Sequence, residues 1–250
     1  MSTQQLIAYR DFGKSEIKDL HLIVGIPEVG LVGVIASSYM VERLKLEEVG
    51  AFDSDIMPPI LMAHQGEPKY PIRIYSNGKI SVLISEIPFS ARFANEFGKE
   101  LSNWAKERRI KSIIGLTGIP SRNKILGQEQ NSSRVFFTAN DKNLQEQYRN
   151  SGAESFEEGV LVGSLASILK HCMNIQQPAA ILLAESYLDF PDPGAAASII
   201  KVLNNTLSLN IDVRPLLEES EEIRLKNREL MKRTQQAMQQ TAQSLPSVYR

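Results

Sequence analysis

The sequence has little from which to build a redox or metal centre. It holds one cysteine, Cys172, and three histidines, His21, His64 and His171. A single cysteine excludes an internal disulfide and a cysteine-based zinc site, and three scattered histidines leave a metal ion few ligands. No metal and no cofactor are expected. Long apolar runs are missing too. None approaches the roughly 20 residues that span a bilayer, and residues 1–18 are polar without an apolar core, so neither a membrane span nor a signal peptide is expected. Nor does charge of one sign dominate: 28 Lys+Arg against 29 Asp+Glu give a net charge of −1. A near-neutral chain has no overall field drawing it to nucleic acid or to an anionic membrane. The expectation is a cytoplasmic protein with neither as a partner.

What is present is the composition of a globular chain: 250 residues, 42% hydrophobic and 23% charged. Short β-branched runs alternate with longer helical patterns. Strands are expected at 20–26, 80–87, 111–119, 134–139 and 179–186, and helices at 30–44, 92–109, 158–173 and 195–207. In the second of these helices Phe93, Phe97, Leu101 and Trp104 recur four, four and three residues apart and mark one amphipathic face. Continuous apolar strands separated by helices predict an α/β fold, a mostly parallel sheet sandwiched by helices, over residues 1–213.

After Pro215 glycine and strand signals disappear. Acids come first (Glu218, Glu219, Glu221, Glu222) and bases follow (Arg224, Lys226, Arg228, Lys232, Arg233), an order that suits a helix dipole. Leu216, Ile223, Leu230 and Ala237 recur every seven residues. Residues 214–250 therefore read as a C-terminal helical extension, a long helix on an appendage that frays near Gln239, with Pro246 ending any helix. Its stripe is narrow enough to suit a partner or the core equally. Segment 57–71, with four prolines, is expected to be irregular, and 117–134 a long polar loop.

Most motif tests come back structural. The stretch GIPEVGLVG (Gly25–Gly33) follows a strand and opens a helix, where a phosphate loop would sit. It lacks the Lys-Ser/Thr of a P-loop and the glycine spacing of a dinucleotide loop, and Glu28 would repel phosphate. The reading is a tight turn in which Gly30 and Gly33 permit close packing. Cys172 and its neighbour His171 point about 100° apart on a helix and make no nucleophile–base pair. Glu86, Glu185, Asp189 and Asp192 fall at or beyond the C-terminal ends of expected parallel strands, the edge where open α/β sheets bind ligands. With Glu28 in its loop, Glu86, Glu185 and Asp192 are the candidate pocket acids. Asp192, followed by Pro193 and Gly194, also has the pattern of a helix cap. The chain closes on Val248, Tyr249 and Arg250. There an apolar residue and a tyrosine can fill a pocket while the terminal carboxylate pairs with a lysine.

The order and spacing of several segments carry more than any one of them. GIPEVGLVG after the first strand, ISEIP after a mid-chain strand, GVLVGSLASIL on a late helix and LLAESYLDFPDPGAAASIIKVL resemble the archaeal branch of the proteasome assembly chaperone family, homologues of the second eukaryotic assembly chaperone. The resemblance covers about residues 5–210. It implies a phosphorylase-like, Rossmann-resembling α/β core and a homo-oligomer. The ending resembles the hydrophobic–Tyr–any (HbYX) motif of proteasome activators and assembly chaperones, which docks between neighbouring α-subunits of the 20S particle. Carried over, Val248 is the hydrophobic anchor, Tyr249 the pocket aromatic and Arg250 the bearer of the carboxylate that meets an α-subunit lysine. The resemblance implies an ATP-independent chaperone or adaptor, not an enzyme, with 20S α-subunits and further copies of itself as partners. The rival expectation is an enzyme of ATP-grasp-like or hydrolase type that uses Glu86, Glu185 or Asp192 as acid–base groups. The Gly-rich loop, paired lysines and Mg²⁺ ligands of an ATP-grasp site cannot be placed in this sequence. A weaker third reading is a self-assembling scaffold whose tail helices bundle together.

Overall fold

The computed structural model describes residues 6–14, 16–121 and 133–244, with side chains as far as Gln240. In chain order the elements are β1 (Ile7–Asp11), β2 (His21–Gly25), a 3-10 turn (Val29–Leu31), α1 (Val32–Arg43), β3 (Glu47–Ser54), β4 (Met62–His64), β5 (Glu67–Lys69), β6 (Ile72–Ser76), β7 (Ile80–Ser85) and α2 (Ala91–Glu107). Then come β8 (Ser112–Pro120), β9 (Val135–Ala139), α3 (Lys142–Asn150), β10 (Glu154–Ser155), α4 (Ser164–Ile175), β11 (Ala179–Ser186) and α5 (Pro193–Leu207). Three helical segments follow: α6 (Arg214–Glu218), α7 (Ser220–Lys226) and α8 (Arg228–Ser244).

Nine strands form one sheet in the order β1-β3-β6-β7-β2-β8-β11-β9-β10. Its centre, β7-β2-β8-β11, is parallel, as the apolar runs predict. Antiparallel strands extend it on both sides, through β6, β3 and β1 at one end and β9 at the other. Helices cover both faces, so alternate residues of each central strand enter different cores. In β11, Ile181 and Leu183 join the core under α2 and α4, while Ala180, Leu182 and Ala184 join the core under α1 and α5. The first core holds a cluster of rings in which Phe52 lies 5.3 Å from Phe97 and 5.6 Å from Trp104, edge to face. Phe97 and Trp104 come from the α2 stripe, and Phe52 comes from β3.

The structure corrects three local expectations. Segment 57–71 contains a hairpin, β4–β5, turning at Gln65–Gly66. The helix expected from Glu158 starts at Ser164, and Val160 and Val162 before it are exposed. The C-terminal helix does not fray near Gln239, since α8 continues to Ser244. The joints between α6, α7 and α8 are bridged by helical bonds from Ile223 N to Glu219 O (3.1 Å) and from Met231 N to Asn227 O (2.9 Å). Leu216, Met231 and Thr234 are buried, the first two in the same core as α1 and α5.

Candidate functional site

All four candidate acids lie at the C-terminal edge of the parallel strands, but each has its own partners. Asp192 is buried and performs the capping role that its Pro-Gly sequel suggests. Its Oδ1 accepts from Ala195 N at 2.9 Å and its Oδ2 from Tyr187 N at 3.1 Å. Its own amide donates to Gly30 O at 2.9 Å, so it also ties the loop after β11 to the loop after β2. Glu185 is half-buried in β11, its amide donating to Arg134 O at 2.9 Å. Neither lines the cavities described below.

Glu28 supplies a cap that α4 lacks. Gly163 at the start of α4 has no side chain to satisfy the first amides. Glu28, 136 residues away in sequence, accepts from Ser164 N at 2.9 Å and from Leu165 N at 3.2 Å. Burial pushes its carboxyl up from the ordinary 4.5 to about 7, against the lowering by hydrogen bonds from Leu165, Thr117 and Ser164. The carboxyl borders a cavity of about 200 Å³ whose wall includes Phe89 and Val162 and whose roof is Ala237 and Met238 of α8. The backbone beside it is tightly placed. A Cβ on Gly33 would collide with the carbonyl of Leu116 in β8, and Gly30 adopts a φ of 62° against Ser186. The two glycines therefore do what the turn reading requires.

Glu86 belongs to a second cluster. Arg73, on β6, pairs with its Oε1. His64, at the end of β4, places Nε2 2.9 Å and 3.0 Å from the two carboxylate oxygens and 3.2 Å from Arg73 Nη2. Arg73 is buried; Glu86 and His64 face a cleft of about 380 Å³ between the hairpin, α1 and the C-terminal helices. Burial and the Arg73 charge hold the His64 imidazole below its usual range. Arg73 and His64 escape a reading of the sequence because the pairing of β6 with β7 brings them to Glu86. No local motif marks them.

The C-terminal helix lies over this same edge. Met231 and Thr234 are buried, and Gln235 Nε2 donates to the backbone (3.2 Å) and side chain (3.0 Å) of Asp189 in the loop after β11. Arg224 stacks its guanidinium 6.0 Å from the Tyr187 ring. Elsewhere, Cys172 is buried with Sγ 3.3 Å from Ser102 Oγ, its thiol pushed up to about 11 by burial, while His171 turns to Asn95. Among the described residues no group of three or more His, Cys, Asp or Glu is placed to hold a metal ion, and no helix is long and apolar enough to cross a membrane. Val248, Tyr249 and Arg250 lie outside the described residues.

A family model described as the PAC2 family matches residues 22–231, from β2 into α8. The chain belongs to the PAC2 family. The resemblance read from the spaced segments is thereby confirmed, and the match takes in the core side of both clefts but stops at Met231, before Arg233, Thr234, Ala237 and Met238 of α8. The uncharacterized protein MJ0106 of Methanocaldococcus jannaschii is 30% identical over 233 residues, 93% of this chain and 94% of that one. The crystal structure of Pyrococcus furiosus PbaA, an archaeal homolog of proteasome-assembly chaperone, superposes with a TM-score of 0.83 at 28% identity, covering 93% of this chain and 99% of PbaA. Pyrococcus furiosus PbaB, an archaeal proteasome activator, shares the fold at 19% identity, with a TM-score of 0.75 over 90% of this chain and 99% of its own.

Proposed function

We propose that this chain is an ATP-independent chaperone or adaptor that binds 20S proteasome α-subunits, acting in assembly or activation of the particle. The observation that carries the reading is the likeness to PbaA over nearly the whole of both chains. On this reading the core self-associates and each copy contributes a tail. Val248 is the hydrophobic anchor, Tyr249 fills a pocket, and the carboxylate of Arg250 pairs with a lysine. Several tails on one oligomer bind by avidity, each weak alone but presented at high effective concentration.

The edge geometry supports a non-enzymatic role. Asp192 caps α5, Glu28 caps α4 and Glu86 neutralises Arg73, so these three acids already hold the fold. Part of the edge that an α/β enzyme leaves open for substrate is covered here by α8, through buried Met231 and Thr234. The deciding experiment is recovery of partners from a native extract with the full chain and with a chain ending at Ser247. The expected result is recovery of α-subunits by the full chain alone, with Tyr249→Ala behaving like the truncation. Equal recovery by both baits would defeat the tail mechanism; recovery by neither would defeat the proteasome reading.

A further inference from the structure

The cleft beside Glu86 has a core wall and a helical wall. On the core side stand His64 and Glu86, with Arg73 behind them; Val34 of α1 and Ile84 of β7 give it an apolar surface. Arg73 is more than nine-tenths buried, and its Nε has no hydrogen-bond partner among the described residues. On the helical side stand Lys226, Leu230 and Arg233. Charge narrows the choice of ligand. Arg73 and Glu86 neutralise each other, Lys226 pairs with Glu222 at 2.6 Å, and Glu229 pairs with Lys232 at 2.8 Å. Arg233 makes no ion pair or hydrogen bond from its side chain among the described residues and shares the field of Glu229, which lines the same wall, with Lys232; Lys226, Lys232 and Arg233 against Glu222 and Glu229 leave one positive charge in excess there. A guanidinium fork binds a carboxylate in two parallel hydrogen bonds, and an apolar group gains by covering half-exposed Met62 and Leu230 above the nearly buried Val34 and Ile84. A volume of about 380 Å³ suits a small molecule.

We propose that this cleft binds a small organic monocarboxylate, its charged end on Arg233 and its apolar body against Met62 and Leu230, above Val34 and Ile84. Because one wall is core and the other is α7–α8, the ligand bridges the C-terminal helices to the body of the protein. It therefore stabilises their docked position by mass action. The site is independent of whether the tail engages a proteasome.

The test uses the full-length chain and 3-phenylpropionate as the probe, by calorimetric titration and thermal melting. The neutral amide of the probe, phenethylamine and inorganic phosphate serve as comparisons. Saturable binding of the carboxylate with a raised melting temperature is expected, at least tenfold tighter than any comparison compound. Arg233→Ala should weaken it at least tenfold. Arg228→Ala, which removes a cation from the same helix but outside the cleft, should bind as the unsubstituted chain does. Alanine is a good helix former, so both variants fold. The proposal is overturned by absent saturation, by amide or phosphate binding as tight as the carboxylate, by undiminished affinity in Arg233→Ala, or by an equal loss in Arg228→Ala.

Discussion

Glu28 joins two opposed effects in one side chain. Its carboxyl satisfies the open amides of α4, yet burial disfavours its charge and moves the pKa from the ordinary 4.5 to about 7. Because the folded value is the higher one, the folded state binds more protons than the unfolded state between those limits. The contribution to stability is therefore full below pH 4.5 and is lost as pH rises through about 7, a swing on the order of 3 kcal/mol. Glu28→Gln retains a carbonyl acceptor without the charge. It should be more stable than the parent at pH 8 and nearly equal to it at pH 5, measured by urea unfolding across that range. A variant whose stability keeps the parent's slope would contradict this. Gly33 offers a sharper steric test. A methyl group there meets the backbone of β8, which cannot rotate away. Gly33→Ala should lose about 2–4 kcal/mol, read as a lowered unfolding midpoint.

At the scale of elements the question is how firmly α8 is seated. Met231 is 3% exposed, whereas Leu225, on the preceding segment, is 70% exposed. If α8 folds with the core, Met231→Ala should cost about 2–3 kcal/mol and Leu225→Ala under about 0.5 kcal/mol in equilibrium unfolding. Equal, negligible effects would describe a helix that stands free. The same scale shows what a sequence can disclose. Strands β2, β7, β8 and β11 were legible because burial on both faces makes them continuous apolar runs. The Asp192-Pro193-Gly194 cap was legible because its signal is local. Of the antiparallel strands, β9 was legible as a short apolar run, but β1, β3 and β6 were not. Arg10, Asp11, Glu47, Glu48 and Arg73 interrupt their apolar pattern, and only pairing with neighbours makes them strands. The start of α4 was misread because Val160 and Val162 extend its apolar run backward although both face solvent. The acids were found at the right edge, but their partners come from distant segments: Ser164 for Glu28, Arg73 and His64 for Glu86. No periodicity encodes such a meeting.

For the whole molecule, the described part of the C-terminal segment is seated on the core through Leu216 and Met231. Ending the chain at Pro215 removes Leu216 and Met231 from a core shared with α1 and α5. It should lower stability on the order of 4 kcal/mol or more. Ending it at Ser247 should leave the melting temperature unchanged. Matching melting curves for the two truncations would show that the helices contribute nothing to the fold. One arrangement bears on how the chain reaches this fold at all. The innermost strand, β2, pairs at His21 with Ile80 on one side and Ser112 on the other. Two long loops must close before it is hydrogen-bonded along both edges. Local helices form in microseconds, but such non-local parallel pairing is slow. During synthesis β2 therefore waits, with Leu22, Ile23 and Val24 unshielded, until β8 has emerged. A protein proposed to guard the assembly of others thus passes through an aggregation-prone interval of its own, and the length of that interval is set by its sheet order.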